Sequence, residues 1–241
     1  MKITREQAVV SGRVLQYQVR LHRRARRASV QVTRREGVVV TLPWRAPRRV
    51  LPGLMAEWES WLEGQVEECG VWDGPVVREF ASGSILSILG RPRELVLEPL
   101  AAGRSRPTAR LEADALILCM PTERLLEPRA ELEKYLRRLA RSDFSERVDS
   151  WSELIGPRPS RLIIGERKSR WGSCSRRGTL SFCYRLVMAP PETIDAVVAH
   201  EVCHLVHLNH SPRFYALLDR VCPGHREAMV WLNEHENDLM V

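Results

Sequence analysis

The stretch Ala199-His200-Glu201-Val202-Cys203-His204 has the pattern His-Glu-x-x-His and decides how the surrounding fold is interpreted. On an α-helix of about 3.6 residues per turn, His200 and His204 project from the same face, one turn apart. Two imidazoles in this arrangement can bind one metal ion, and Glu201 lies close enough to take a proton from a water molecule there. The pattern is typical of the active-site helix of a zinc hydrolase.

The residues around this stretch predict that it is helical. Pro190 and Pro191 end the preceding segment, and proline is tolerated in the first turn of a helix. Glu192 and Asp195 place negative charge near the helix N-terminus, where the helix dipole stabilises it. One face is apolar, with Ile194, Val197, Val198, Val202 and Leu205. We therefore predict a buried helix whose polar edge lines a cleft.

Two histidines compete to be the third protein ligand of the metal. On a straight helix His207 would lie about 10 Å along the axis from His200, too far for one ion with bonds of about 2 Å. Asn209 tolerates a left-handed conformation, so a bend there can return His210 to the metal. We predict His200, His204 and His210 as ligands, and a structural or supporting role for His207.

Four stretches in this half of the chain resemble the YgjP-like metallopeptidase family, which comprises small zincins related to SprT-like proteases. They are Arg167-Lys168-Ser169-Arg170-Trp171-Gly172-Ser173-Cys174, Pro190-Pro191, His200-Glu201-Val202-Cys203-His204 and Asn209-His210-Ser211-Pro212-Arg213-Phe214. The similarity is strong over about residues 160–235 and loose in the first half. The resemblance implies a zinc site with His210 as the third histidine. Members are called peptidases because of the motif and some carry a nucleotide pyrophosphatase label, so the substrate stays open.

Length and composition limit the class of protein. The chain has 241 residues, enough for one large domain or two small ones. It has no uncharged apolar run of about 18 residues, which predicts no membrane span, and its N-terminus lacks the apolar segment of a signal peptide. The six cysteines are scattered without a Cys-x-x-Cys pair. Free thiols of this kind favour a reducing, cytoplasmic location.

The positive charge is concentrated at the N-terminus. Residues 1–60 carry 13 Lys and Arg against 4 Asp and Glu, whereas the remaining residues carry 24 against 26. The basic residues in the range 20–35 could contact nucleic acid. The alternative is a solvated strand edge, where arginines prevent pairing with other chains.

The distribution of patterns predicts an α+β fold with two parts. Residues 1–121 are rich in strands, and residues 122–241 form a small zincin-like catalytic domain. The first part suggests a duplicated unit of strands followed by a helix. Ser82-Gly83 echoes Ser11-Gly12, and Pro121 closes a strand as Pro43 does.

In the catalytic part, the helix that carries the metal ligands is expected to pack on an antiparallel sheet. The sequence predicts strands over 161–165 and 179–184, joined by a polar loop. By analogy with zincins, the second strand would be an edge strand that pairs with an extended peptide.

Several side chains are candidates for roles beyond metal binding. Glu201 is the predicted general base. Arg185, Tyr184 and Tyr215 are candidates to stabilise the oxyanion, and Arg185 stands out because apolar residues surround it; the alternative is a structural ion pair. The residues predicted to bind the substrate are Trp171, Ser173 and Tyr184.

Two enzymatic functions follow, together with a third that is not enzymatic. The first is a zinc endopeptidase or aminopeptidase. The second is a zinc phosphohydrolase or pyrophosphatase acting on nucleotides, with phosphate bound by Arg167, Lys168, Arg170 and Arg185. The third is a nucleic-acid-associated module stabilised by a structural metal, which Glu201 argues against because a structural site needs no base.

Overall fold

A computed structural model describes residues 2–75, 79–167 and 170–239. Its contacts divide the chain into two compact units, Met1–Arg78 and Glu79–Val241. Strands and helices occur in both units, so the predicted α+β class is confirmed. No helix among the described residues is both long and apolar enough to cross a membrane.

The first unit is a four-stranded sheet covered by two helices. The strands follow the spatial order β1-β2-β4-β3, in which β2 and β4 are parallel and the outer pairs are antiparallel. Buried side chains of the sheet, such as Val19 and Val40, share one core with Leu62 and Val66 of the second helix. The elements are β1 (Lys2–Val10), β2 (Arg13–His22), β3 (Ser29–Thr33), β4 (Gly37–Pro43), α1 (Leu51–Glu57) and α2 (Glu59–Cys69).

The second unit begins with a sheet of the same design. Its strands follow the order β5-β6-β8-β7, again with a parallel central pair and antiparallel outer pairs. A long helix comes next, as helices follow the first sheet. The elements are β5 (Ile85–Ile88), β6 (Arg91–Pro99), β7 (Thr108–Leu111), β8 (Ala115–Met120) and α3 (Arg129–Ile155).

The first, second and fourth strands of the two sheets correspond residue by residue, at a constant offset of 78 positions along the chain. Gly12 corresponds to Gly90 and Pro43 to Pro121. Both hairpin turns have positive φ at two successive residues, 48° and 77° in the first copy and 52° and 72° in the second. The two sheets therefore share a topology, and the turn that matches Ser11-Gly12 is Leu89-Gly90 and not Ser82-Gly83.

The second sheet shares its core with the catalytic elements. Leu95 and Leu116 of this sheet pack in one cluster with Phe144 of α3 and Val198 of the metal helix. The compact units therefore divide after Arg78, whereas the sequence places its boundary after residue 121. The difference arises because the inner face of β5–β8 needs the catalytic elements to cover it.

The remaining elements carry the candidate site. A three-stranded sheet has the order β10-β11-β9, with β10 antiparallel and β9 parallel to the central strand. The predicted antiparallel sheet is thus mixed, and the predicted edge strand 179–184 is central, because the β10–β11 hairpin leaves β10 on the outside. The elements are β9 (Arg161–Gly165), β10 (Gly172–Cys174), β11 (Thr179–Cys183), α4 (Pro191–Cys203), α5 (Pro212–Val221) and α6 (His225–Glu234).

Two contacts fix the start of α4. A Cβ atom on Gly90 would lie 2.8 Å from Cα of Pro190, so only glycine allows the β5–β6 turn to approach the helix this closely. Asp195 accepts hydrogen bonds from Arg147 Nη1 at 2.6 Å and from Trp151 Nε1 at 3.0 Å, which joins α4 to α3. The helix that carries the motif is thereby held between the second sheet and α3.

Candidate metal centre

Three histidine side chains meet beyond the C-terminal end of α4. Nε2 of His210 lies 3.0 Å from Nε2 of His200 and 3.1 Å from Nε2 of His204. His200 lies in the last turn of α4 and His204 caps it, while His210 belongs to the loop before α5. The chain leaves the helix before Asn209, which allows His210 to return. The predicted convergence of these three rings is present in the structure.

His207 contributes its backbone and not its side chain. Its carbonyl oxygen lies 2.9 Å from Nδ1 of His204. A carbonyl can only accept, so Nδ1 of His204 must carry the proton, which leaves a lone pair on Nε2 facing the other two rings. Second partners of this kind commonly fix the orientation of metal-binding histidines.

A buried phenylalanine, for which the sequence predicted no role, packs against the three rings. The ring centroid of Phe214 lies 4.9 Å from that of His200, 4.4 Å from that of His204 and 5.0 Å from that of His210. Phe214 is fully buried, and the half-exposed ring of Tyr215 stacks on His210 at 6.1 Å. The first turn of α5 therefore orients the histidines. The sequence signals are that Phe214 belongs to the stretch that resembles the family and that Ser211-Pro212 starts a helix directly after His210.

Two of the three separations between the histidine nitrogens are close to those of a tetrahedral metal site. Zinc–nitrogen bonds of about 2.0 Å at tetrahedral angles separate neighbouring nitrogens by roughly 3.3 Å. The two closest Nε2 separations are 3.0 and 3.1 Å. All three potential ligand atoms lie within 4.8 Å of one another. The site can therefore accept one ion with little movement of the side chains.

Burial favours the neutral forms of His200 and His204, and metal binding requires neutral imidazoles. Desolvation lowers the pKa of His200 to about 4, and repulsion by His204, His210 and His225 contributes to the shift. Desolvation also lowers the pKa of His204, although its hydrogen bond to the His207 carbonyl acts in the opposite direction. The lone pair of the His200 ring therefore stays free in mildly acidic solution.

Glu201 is a buried carboxyl group beside the histidine cluster. It is 7% exposed, and among the described residues its Oε2 has no hydrogen-bond partner. Burial raises its pKa from the usual 4.5 to about 7, while the charge of Arg170 acts to lower it. A carboxyl group with such a pKa can take up and release a proton near neutral pH.

The backbone of β10 lies directly against this carboxyl group. A Cβ atom on Gly172 would lie 2.6 Å from Cγ of Glu201 and 2.7 Å from its Oε1. No side chain larger than hydrogen fits there without moving Glu201. In the sequence, Gly172 stands out only as part of the motif that resembles the family, because the approach of a strand to a helix cannot be predicted from local spacing.

The pH dependence of the stability of the metal-free protein should reveal the raised pKa of Glu201. Because the pKa of Glu201 is about 7 in the folded chain and 4.5 otherwise, its stabilising contribution is complete below pH 4.5 and lost as pH rises through 7. His200 has the opposite effect, since its folded pKa is lowered. We therefore expect the free energy of unfolding of Glu201→Gln, relative to wild type, to rise by about 3 kcal/mol between these pH values.

Urea unfolding of the two metal-free proteins at several pH values measures this difference. Subtracting the wild type cancels the contributions of the histidines. A difference that does not change with pH would mean that the carboxyl group titrates normally.

Arg185 and Tyr184 lie in the interior and not at the surface of the site. Arg185 is 4% exposed, and its guanidinium donates to the carbonyl oxygens of Leu239 at 3.2 Å and Arg167 at 3.1 Å. Tyr184 is fully buried, with the guanidinium of Arg137 at 4.0 Å from its ring centroid. Arg185 therefore satisfies backbone carbonyls, which is neither the predicted oxyanion role nor the alternative ion pair.

Trp171 and Ser173 belong to the outer hairpin. Trp171 is half-buried and packs against the core, with the guanidinium of Arg185 at 5.2 Å from its ring. Ser173 lies on β10 opposite Ser181. Both residues are near Gly172 in sequence, and their predicted contact with a substrate stays a prediction.

The free edge of β10 presents the backbone of Gly172 and Cys174. The neighbouring residues Trp171 and Ser175 form ladder hydrogen bonds to β11, at 2.8 Å and 2.9 Å. Hydrogen-bonded and non-hydrogen-bonded pairs alternate in an antiparallel ladder, so Ser173 faces β11 and Gly172 and Cys174 face outward. Their N–H and C=O groups are thus positioned to pair with an added strand.

A histidine and aspartate pair near the site also escaped the sequence analysis. Nε2 of His225 lies 2.8 Å from Oδ1 of Asp219, and His225 is 6% exposed. The charge of His225 reaches His200, whose pKa it helps to lower. Asp219 and His225 are six positions apart in sequence and lie on either side of the break between α5 and α6. No helical spacing therefore indicates the pair.

Comparison with known proteins adds information on the family. The model of a family described as YgjP-like, metallopeptidase domain, matches residues 26–235. Among solved structures, the metallopeptidase zymogen of Pyrococcus abyssi abylysin is similar, with 18% identity, a TM-score of 0.35, and coverage of 38% of this chain and 93% of that chain. None of the curated proteins compared with the chain matches it. The family match contains all three histidines of the cluster and Glu201.

Proposed function

We propose, because the chain belongs to the YgjP-like metallopeptidase family, that this hydrolase cleaves peptide bonds with a zinc ion bound by His200, His204 and His210. The observation that carries the proposal is the buried carboxyl group of Glu201, whose Oε2 has no partner among the described residues. A purely structural metal site would not need an unsatisfied carboxyl group beside it.

Each residue has a distinct role in the proposed reaction. When bound, zinc acts as a Lewis acid and lowers the pKa of water to about 7. Glu201 accepts the proton of the attacking water and transfers it to the leaving amine. The His207 carbonyl keeps His204 in the tautomer that binds a metal. Tyr215, stacked on His210, is the remaining candidate to donate a hydrogen bond to the developing oxyanion.

The substrate would bind as an additional strand on β10. The outward backbone groups of Gly172 and Cys174 can pair with an extended peptide. Since Gly172 also touches Glu201, a peptide in that register would place a carbonyl group near the base. This replaces the predicted role of strand 179–184, whose two edges are already paired.

The experiment that tests this function compares two substrate classes on the zinc-loaded protein. Fluorogenic peptides and casein represent the peptidase, and nucleoside triphosphates represent the phosphohydrolase. We expect peptide cleavage that a chelator abolishes and added zinc restores. If only nucleotides were hydrolysed, the peptidase proposal would be wrong.

One observation favours the nucleotide alternative, although one of its predicted phosphate ligands, Arg185, has other partners. The charge of Arg170 reaches Glu201, so a phosphate near the base could bind this guanidinium. Arg185 is buried and bonded to carbonyl oxygens, and Lys168 lies outside the described residues. Phosphate binding through arginine should weaken steeply with added salt, whereas peptide cleavage should not.

Glycine at position 172 should be essential for the placement of Glu201, the proposed base. In Gly172→Ala, the added methyl group must displace Glu201. We expect kcat to fall by about 100-fold, since a misplacement of about 1 Å can have this effect, while zinc content stays the same.

The matched control is Gly165→Ala on β9 of the same sheet, where a Cβ atom meets nothing within 4 Å. Steady-state kinetics and zinc analysis of both variants decide the question. Equal activity of Gly172→Ala and Gly165→Ala would show that Glu201 tolerates the displacement.

A cytoplasmic location is part of the proposal. All six cysteines are free thiols in the structure, which suits a reducing compartment.

A further inference from the structure

A basic surface lies at one end of the first sheet. Strands β2 and β4 are parallel, and their last paired residues are His22 and Pro43. The segments that follow them, 23–28 and 44–47, therefore leave the sheet at the same end. Together they bring an exposed tryptophan next to a run of arginines.

The two segments enclose a cavity of about 330 Å³. Trp44 is 42% exposed, and the guanidinium of Arg23 lies 5.2 Å from its ring centroid. The cavity is lined by Leu21, His22, Arg23, Arg24 and Trp44. It is open, and the guanidinium of Arg23 lies over the ring of Trp44.

The arginines of the β2–β3 loop differ from others nearby in their partners. Arg20 pairs with Glu36 at 3.0 Å, and Arg48 pairs with Glu6 at 2.6 Å. The loop arginines are exposed, and no described carboxylate forms an ion pair with any of them; they are Arg23, Arg24, Arg26 and Arg27. Their charge is therefore available to an external anion.

The internal repeat shows that the fold does not require Arg23, Arg24 or Trp44. At the offset of 78, the positions of Arg23 and Arg24 are held by Ala101 and Ala102, and that of Trp44 by Thr122. The second sheet nevertheless has the same strand order and pairing. A solvated strand edge could explain exposed arginines, but it does not explain an exposed tryptophan beside them in one copy alone.

We propose that this surface, residues 22–27 with Trp44 and Arg45, binds single-stranded nucleic acid. A base stacks on Trp44 within the cavity, and the adjoining phosphates bind the loop arginines. Aromatic stacking combined with a cationic groove is the usual means of binding single strands without sequence preference. The structure narrows the predicted basic range 20–35 to the part that is free of internal ion pairs.

Two other polyanions fit the surface less well. An acidic peptide would use the arginines but has no need for an exposed indole. An anionic membrane favours aromatic side chains that protrude, whereas Trp44 lines a concavity and is partly covered by Arg23. Both are outcomes that the experiment distinguishes.

The test measures binding of the full chain to a fluorescein-labelled oligothymidylate of about 12 nucleotides by anisotropy. We expect Trp44→Ala to weaken binding by about 5- to 100-fold and Trp44→Phe to retain most of it. For Arg23→Ala/Arg24→Ala we expect weaker binding and a slope of log K against log salt that is smaller by about 1.4.

The matched control is Arg104→Ala/Arg106→Ala, which removes the same charge from the corresponding loop of the second sheet. It should leave binding unchanged. The proposal is overturned if no binding occurs at about 50 mM salt, if the control weakens binding as much as the test pair, or if Trp44→Ala has no effect. Stronger binding to polyglutamate or to phosphatidylserine vesicles would also overturn it, in favour of that partner. Circular dichroism of each variant checks folding.

Discussion

Replacing Glu201 with glutamine is expected to lower kcat/KM for a peptide substrate by about 10²- to 10⁴-fold, with zinc content unchanged. Glutamine has nearly the same shape and fits beside Gly172, but it cannot accept the proton of the attacking water. The three histidines do not depend on this side chain for their mutual contacts. Kinetics and metal analysis of the same preparations separate loss of the base from loss of the metal.

The control for this experiment is Glu192→Gln, at an exposed position in the first turn of the same helix. It removes the same charge from α4 without touching the site, so activity should be close to wild type. Full activity of Glu201→Gln would contradict the proposed function, because that activity could not come from this carboxyl group.

Replacing His204 with alanine is expected to abolish activity and to weaken zinc binding by far more than 100-fold. Loss of a group that only supports a ligand commonly weakens metal binding by about 10- to 100-fold, and loss of a ligand should exceed this. His200→Ala and His210→Ala should behave in the same way, since their Nε2 atoms meet at the same point. Competition with a chromogenic chelator measures the affinity.

The adjacent control is His207→Ala. His207 contacts His204 through its backbone carbonyl, which alanine retains, so zinc affinity should change little. If His207→Ala lost zinc while His210→Ala kept it, the assignment of the third ligand would be wrong. Comparing His207→Ala with His210→Ala therefore tests which of the two competing histidines is the third ligand of the metal.

The sequence predicted the helix and the identity of the histidines that meet, because both depend on local geometry. Residues four apart share a helical face. The proline pair fixes where the helix starts. The helix ends at Cys203, and Asn209 does not have a positive φ, so the left-handed bend predicted there is not what returns His210 to the cluster. Arg185 shows where this reasoning fails: apolar neighbours correctly indicated burial, but its partners, the carbonyls of Arg167 and Leu239, are distant in sequence.

The repeat shows a similar limit. The order of strand and helix patterns indicated two units of strands followed by a helix, but the matching of Ser82-Gly83 with Ser11-Gly12 was displaced by one strand. The backbone resolved it, because only the turns Ser11-Gly12 and Leu89-Gly90 share two successive positive φ angles.

The sequence by itself determined the α+β class, the metal helix and the three imidazoles around one point, since these follow from periodicity, turn residues and motif spacing. The family was indicated by the resemblance of its motifs. Only the tertiary structure decided which strand lies at the edge of the sheet and which side chains are enclosed. It also decided that Gly172 must lack a side chain for Glu201 to fit. These features depend on which surfaces of distant segments are in contact, and that is settled by packing of the whole unit and not by any local pattern.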